Sequence, residues 1–301
     1  MQRILIQEVG PRDGLQMEPE FFPTEKKVDL INQLSDAGVD KIEVSSFVSP
    51  KAIPNLRDAE EVFQSINRKA GVTYTALVPN LKGAERAVAA GANELNLVAS
   101  VSETHNQKNV RKTVDESFEG FQEIMRLAGA HEIPVNGTLA TTFGCPFEGS
   151  IDVQKVLQLV GRYLEIGAYG ITLADTTGMA VPNQVYRLCS EVLDRYPDVP
   201  ITLHFHNTRG MGLANVVEGI HAGVVRFDAS VGGLGGCPFA PGATGNICTE
   251  DLVHMLKFMG HEVRADLSAL IAASRFLQSE IGHEVPGQVI KSGLITDLHS
   301  A

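Results

Sequence analysis

One unit recurs through this chain: a short β-branched run, a polar or glycine-bearing loop, then an amphipathic stretch at helical spacing. The runs fall at 4–8, 41–45, 73–78, 94–98, 135–140, 170–174, 201–206 and 226–229. Between them the hydrophobic period predicts helices over 24–37, 53–69, 80–90, 114–130, 152–166 and 182–195. Gly38, Gly91, Gly167 and Gly223 close such stretches a few residues before the next strand, as a left-handed residue closes a helix. Strands alternating with helices at this period form parallel β/α units. Eight of them predict a (β/α)8 TIM barrel over about 3–260, with 265–281 an outer helix in a helical extension of 261–301. The whole of 1–301 is then one catalytic domain. A doubly wound open sheet is the rival, but it would carry a G-x-G-x-x-G turn after its first strand. Gly10-Pro11-Arg12-Asp13-Gly14 stands there instead.

Composition excludes more than it selects. The net charge is -11, and no Lys/Arg cluster offers a footprint for nucleic acid. No apolar run approaches the roughly 18 residues that a membrane span needs. The 4 cysteines form no C-x-x-C pair, which suits reduced thiols. The first residues read at once as a strand, with no leader pattern, so a cytoplasmic protein is expected.

A barrel carries its active site at the C-terminal ends of its strands. Those positions here are polar: Arg12-Asp13-Gly14-Leu15-Gln16, Glu43, Asp175-Thr176-Thr177-Gly178, His204-Phe205-His206-Asn207 and the loops 232–238 and 242–246. His204 and His206, two apart on a strand, share one face and can reach one ion. An isolated H-x-H is as readily a packed pair, but these follow an apolar run and face Asp13 across the expected barrel. Asp13 is the third expected ligand and Asn246 the fourth. A nitrogen and oxygen set without thiolate suits Mg²⁺ or Mn²⁺ better than Zn²⁺. Arg12 offers a fixed cationic fork for negative charge developing on an oxygen. Glu43 and Asp175 are expected to orient Arg12 and the metal shell. The glycines of 232–236, with Cys237 at the tip, read as a lid that swings a thiol into the site. Cys145 reads as structural.

Three segments then carry a resemblance over nearly the whole chain. They are Gly10-Pro11-Arg12-Asp13-Gly14-Leu15-Gln16, Ile42-Glu43-Val44-Ser45-Ser46-Phe47-Val48-Ser49-Pro50 and GLGGCPFAPGATGN at 233–246. Together they resemble the 3-hydroxy-3-methylglutaryl-CoA (HMG-CoA) lyase family. The resemblance implies that Asp13, His204, His206 and Asn246 bind a divalent metal, Mg²⁺ or Mn²⁺. It implies that Arg12 stabilises an enolate, that Cys237 is the catalytic thiol, and that Glu43 and Asp175 are acidic site residues. The implied reaction is a retro-Claisen cleavage of an acyl-CoA to acetyl-CoA and acetoacetate, with His204 or Asp175 taking the hydroxyl proton. Gln16, Arg12, Ser46, Thr138, Thr172, Asn207 and Arg209 are the expected substrate-facing residues. A homodimer and a place in leucine catabolism are implied by the same analogy.

This chain departs from the family after its second histidine. Asn207-Thr208-Arg209-Gly210 stands where Asp-Thr-Tyr-Gly is common, and Thr138 and Thr141 replace a Tyr and a Cys. Arg209 is therefore expected to alter recognition of the substrate carboxylate. Lys108-Asn109 is a possible phosphate contact, though a solvated charge is the ordinary reading. The alternatives are a lyase for another branched 3-hydroxyacyl-CoA, a condensing synthase of the isopropylmalate synthase type, and a non-catalytic metal-binding barrel.

Overall fold

A computed structural model describes residues 2–236 and 245–298. Eight parallel strands form the centre: β1 (Arg3–Glu8), β2 (Lys41–Ser46), β3 (Thr73–Leu77), β4 (Glu94–Ser100), β5 (Val135–Ala140), β6 (Gly170–Asp175), β7 (Ile201–Phe205) and β8 (Arg226–Ala229). Each pairs with the next, and β1 pairs with both β2 and β8, the latter from Leu5↔Arg226 to Glu8↔Ala229. That last pairing closes the sheet, so the chain is a (β/α)8 barrel and the doubly wound reading is excluded. A short β9 (Glu262–Val263) adds beside β1 at its lower end.

Helices α1 (Thr24–Asp36), α2 (Ala59–Ser65), α3 (Leu81–Ala89), α4 (Glu103–Val110), α5 (Val114–Ala130), α6 (Val153–Glu165), α7 (Pro182–Arg195), α8 (Gly212–His221), α9 (Thr249–Phe258) and α10 (Leu267–Ile281) surround it. The helices cover the outer face of the strands and side chains inside the barrel cover the inner one, so every residue of β6 and β7 is buried. Start signals lie in the sequence: a capping box joins Thr113 and Glu116 before α5, Asp152 caps α6, and Pro182 opens α7.

The helix expected over 53–69 is a correction. It is a 3-10 turn, Pro54–Leu56, followed by the shorter α2. Asp58, the natural cap between them, is engaged by Lys27 Nζ at 2.6 Å instead. Ile66 is already extended at ψ 145, which ends the helix. Sequence spacing alone also passed over α4 and α9, whose polar or mixed faces blur the hydrophobic period.

Candidate active site

The turn after β1 is built around one carbonyl. The amides of Arg12, Asp13 and Gly14 all point at Val9 O, at 3.1, 2.7 and 3.4 Å, in a five-residue π turn over Gly10–Gly14. Glu8 holds the turn from below: its Oε1 accepts from Gly10 N at 2.7 Å and Val231 N at 2.9 Å, and its Oε2 from Thr249 Oγ1 at 2.7 Å. The loop thus places Arg12 and Asp13 over the barrel mouth with little freedom. Arg12 Nε donates to Glu43 Oε2 at 2.5 Å and Nη1 to Asp13 Oδ1 at 2.6 Å. Burial works against the guanidinium charge, but Glu43 and Asp13 outweigh it and hold Arg12 above its ordinary value.

A ligand cluster lies beside this pair. Asp13, His204 and His206 each present a donor atom, all within 4.8 Å of one another. His206 Nε2 is 3.9 Å from Asp13 Oδ2. Burial would raise the Asp13 carboxyl, yet Arg12, the two imidazoles and Asn246 bring it down to about 2. Burial and the neighbouring His204 push His206 down to about 4, which keeps that imidazole neutral and able to ligate. His204 Nδ1 lies 3.1 Å from Asp228 Oδ2, and Asp228 overcomes the burial of the ring to raise its pKa. Asp228 is a site residue that the sequence pattern missed; its signal was a lone acid near the end of β8.

Asn246 reaches the cluster by backbone pairing. Its residue bridges His206, Asn207 N donates to Gly245 O at 2.9 Å, and Ile247 N to Phe205 O at 3.0 Å. β7 ends at Phe205, and His206 is held by this bridge together with its amide on Asp175 O, at the end of β6, at 3.4 Å. Asn246 Nδ2 donates to Asp13 Oδ2 at 2.7 Å, while its Oδ1 is buried with no hydrogen-bond partner. An orphaned buried acceptor beside a carboxylate and two imidazoles fits a hard divalent cation. Close approach here requires glycine: a Cβ at Gly235, φ +110, would lie 2.5 Å from Asn246 Nδ2.

A cavity of about 820 Å³ opens over this cluster. Arg12, Asp13, Gln16, Glu43, Ser46, Thr138, His204 and His206 lie on its wall, with Asn96 and Asp228 among those that sequence reasoning overlooked. Other expected residues lie elsewhere. Asp175 makes no bond to Arg12, contrary to expectation. It follows Ala174 at the strand end and turns to the loop, where Oδ1 accepts from Met179 N at 2.7 Å. Burial pushes its carboxyl up to about 6, and Oδ2 is buried without a partner. Thr172 sits lower on the barrel axis, accepting from Asn136 Nδ2 at 3.0 Å. Asn207 Oδ1 accepts from Gly212 N at 3.0 Å and so braces the start of α8.

Arg209 is a further correction. Its Nη1 donates to Thr177 O at 3.0 Å and Gly178 O at 2.8 Å, so the exposed guanidinium staples the loop after β6 and does not reach the cavity wall. The lid expectation also changes. Val231–Gly233 is a buried 3-10 turn, pinned by Glu250 Oε2 on Gly232 N at 3.1 Å and by Gly287 N on Gly232 O at 3.0 Å. Gly232 and Gly233 therefore do not swing. Cys237 lies outside the described residues. Cys145 is buried and donates to Ser102 Oγ at 3.0 Å, in keeping with a structural part. Lys108 lies over the Phe147 ring at 5.0 Å, while Asn109 is on the cavity wall. No helix among the described residues is long and apolar enough to cross a membrane.

Known proteins give this arrangement its context. A hydroxymethylglutaryl-CoA lyase of Bacillus subtilis is 44% identical over 97% of this chain and 98% of its own length. An (R)-citramalyl-CoA lyase of Chloroflexus aurantiacus is 42% identical over 97% of this chain and 96% of its own. A solved HMG-CoA lyase of A. baumannii, in complex with coenzyme A and 3-methylmalate, is 58% identical, covers 99% of this chain and 98% of its own, and superposes with a TM-score of 0.96. The HMGL-like family model matches residues 3–277, and with relatives this similar over almost the full length the chain belongs to the HMGL-like family of carbon–carbon lyases.

Proposed function

We propose that this protein cleaves 3-hydroxy-3-methylglutaryl-CoA to acetyl-CoA and acetoacetate with a divalent cation, Mg²⁺ or Mn²⁺. The observation that carries the reading is the convergence of the Arg12–Glu43 pair, the Asp13–Asn246 bond and both imidazoles on one cavity. Asp13, His204, His206 and Asn246 would hold the ion. Bound there, it supplies Lewis acidity toward the substrate's hydroxyl and carboxylate oxygens.

The chain's own groups account for the bond-breaking sequence. The tertiary hydroxyl loses its proton, its C–O becomes the ketone of acetoacetate, and the C2–C3 electron pair moves onto C2 of the departing thioester. That charge delocalises onto the thioester oxygen as an enolate, where the Arg12 fork faces it. Cys237 then returns one proton to C2, completing acetyl-CoA. With Nδ1 held by Asp228, His204 has only Nε2 left, so it either ligates the ion or takes the hydroxyl proton, not both. Asp175, on the neighbouring strand, takes that proton only by turning from the loop amide that it now accepts from. Losing a ligand lowers metal affinity, whereas losing a base lowers kcat with the metal still bound; His204→Ala and Asp175→Asn separate the two. Lys82 and Lys112, both on the cavity wall, offer point charges for the phosphates of coenzyme A.

A second reading has its own support. The relative named (R)-citramalyl-CoA lyase and the neighbour holding 3-methylmalate point to shorter branched 3-hydroxyacyl thioesters. Thr138, on the cavity wall where some members of the family carry a tyrosine, is the smaller side chain and supports a different acyl group on that side. The test is a coupled assay for acetyl-CoA and the oxo-acid product on HMG-CoA and citramalyl-CoA, with Cys237→Ala alongside. Cleavage of HMG-CoA that disappears on chelation, returns with Mn²⁺ and is lost in the variant supports the first reading. Preference for citramalyl-CoA supports the second, and no cleavage of either ends both. A cytoplasmic homodimer serving leucine breakdown belongs to the first reading; light scattering on the purified protein checks its dimer.

A further inference from the structure

Below the Arg12–Glu43 pair, the barrel interior holds a chain of amide and hydroxyl groups instead of the branched aliphatic layers usual on such an axis. Asn96, on β4, stands at its centre. Its Nδ2 donates to Glu43 Oε1 at 2.9 Å. Its Oδ1 accepts from Thr138 Oγ1 at 2.8 Å and from Asn136 Nδ2 at 3.1 Å. Asn136 Nδ2 also donates to Thr172 Oγ1 at 3.0 Å, so four strands, β2, β4, β5 and β6, contribute to one network.

The direction of this network is decided by charge. A flipped Asn96 would set its carbonyl oxygen against Glu43 Oε1 at the 2.9 Å now spanned by N–H···O. Glu43 is committed to Arg12 through Oε2 at 2.5 Å and is an acceptor on both oxygens. Two acceptors facing each other in a buried site cost more than one unmade bond. Asn96 must therefore donate upward. Its one amide proton sets the rotation of the Glu43 carboxylate about its own axis, and that carboxylate sets the plane of the guanidinium. With Nε on Glu43 and Nη1 on Asp13, Nη2 is the nitrogen of Arg12 without a hydrogen bond among the described residues.

We propose that Asn96 is a positioning residue for the lyase reaction, fixing through Glu43 the edge of Arg12 that meets the enolate. The proposal rests on the retro-Claisen reading above. It predicts an effect on the transition state more than on binding, since the Arg12 fork gains its full partner only as charge develops.

The experiment is a double-mutant cycle on the metal-loaded enzyme: wild type, Asn96→Asp, Glu43→Gln, and both together. Asn96→Asp keeps the shape but replaces the donor with an acceptor, and should lower kcat by about tenfold or more, with KM and Mn²⁺ affinity moving less than about threefold. In the Glu43→Gln background the amide of residue 43 can donate to the new carboxylate, so the same substitution should cost less than about threefold. Thermal melts and Mn²⁺ titration by electron paramagnetic resonance accompany every variant. The proposal is overturned if Asn96→Asp keeps kcat within about twofold of wild type, or if its loss is equal in both backgrounds. It is also overturned if KM, metal affinity and melting temperature fall together, which marks a purely structural residue. A wild type that cleaves no 3-hydroxyacyl thioester removes the functional reading itself, and this role with it.

Discussion

Asp228 Oδ2 lies 3.1 Å from Nδ1 of His204, and the two residues are register partners on β7 and β8. An imidazole oriented through one nitrogen presents the other in a single direction and as a stronger donor. Asp228→Asn keeps the shape but loses the charge. It should weaken Mn²⁺ binding by roughly 10–100-fold, as read by isothermal titration. Unchanged affinity would show that the His204 ring is fixed by packing alone.

Arg209 holds two carbonyls of the loop after β6 and stands off the cavity wall. Arg209→Tyr should leave the ratio of kcat/KM between HMG-CoA and citramalyl-CoA unchanged within about twofold. Losing the staple should cost about 1 kcal/mol, a drop of roughly 2 °C in melting temperature. A changed substrate ratio would return Arg209 to the substrate.

Glu8 gives a pH dependence of stability with a definite sign. Burial lifts its carboxyl from 4.5 to about 8, so between those values the folded protein holds a proton that the unfolded chain releases. Stability should therefore fall as pH rises across that window, by up to roughly 1.4 kcal/mol per pH unit from this group. Glu8→Gln keeps the acceptor for Gly10 N and Val231 N and can donate to Thr249 Oγ1. Its melting temperature should fall less between pH 5 and pH 8 than that of the wild type. Parallel curves would assign the dependence to other groups.

Gly137, in the middle of β5, faces the Tyr163 ring so closely that a Cβ would lie 2.4 Å from its Cδ1. Tyr163 is fully buried and its hydroxyl donates to Leu97 O, which leaves the ring no retreat. Gly137→Ala should destabilise by about 1–3 kcal/mol, an overpacking cost that calorimetry reads as a drop of several degrees. A melting temperature equal to the wild type would mean that α6 can move outward.

The sequence by itself determined the eight strands, most helices and the polar rim, because all of these are written in local periods and caps: β5, β8, α5 and α7 stand at the expected bounds. It also marked Arg12, Asp13, Glu43, His204 and His206 as candidates, since H-x-H on a strand and Arg-Asp after one need only side-chain geometry to interpret. Three things needed the tertiary structure. Asp228, a lone acid near a strand end, and Asn96 do not show their roles locally, because their partners lie 24 and 53 residues away in sequence. Arg209 looked like a substrate group until the fold brought the carbonyls of Thr177 and Gly178 within its reach. Gly232 and Gly233 looked like a flexible lid until Glu8, Glu250 and Gly287 were seen to hold that turn. Periodicity records which face of an element is buried; which polar group meets which across the barrel is decided only when the sheet closes between β8 and β1.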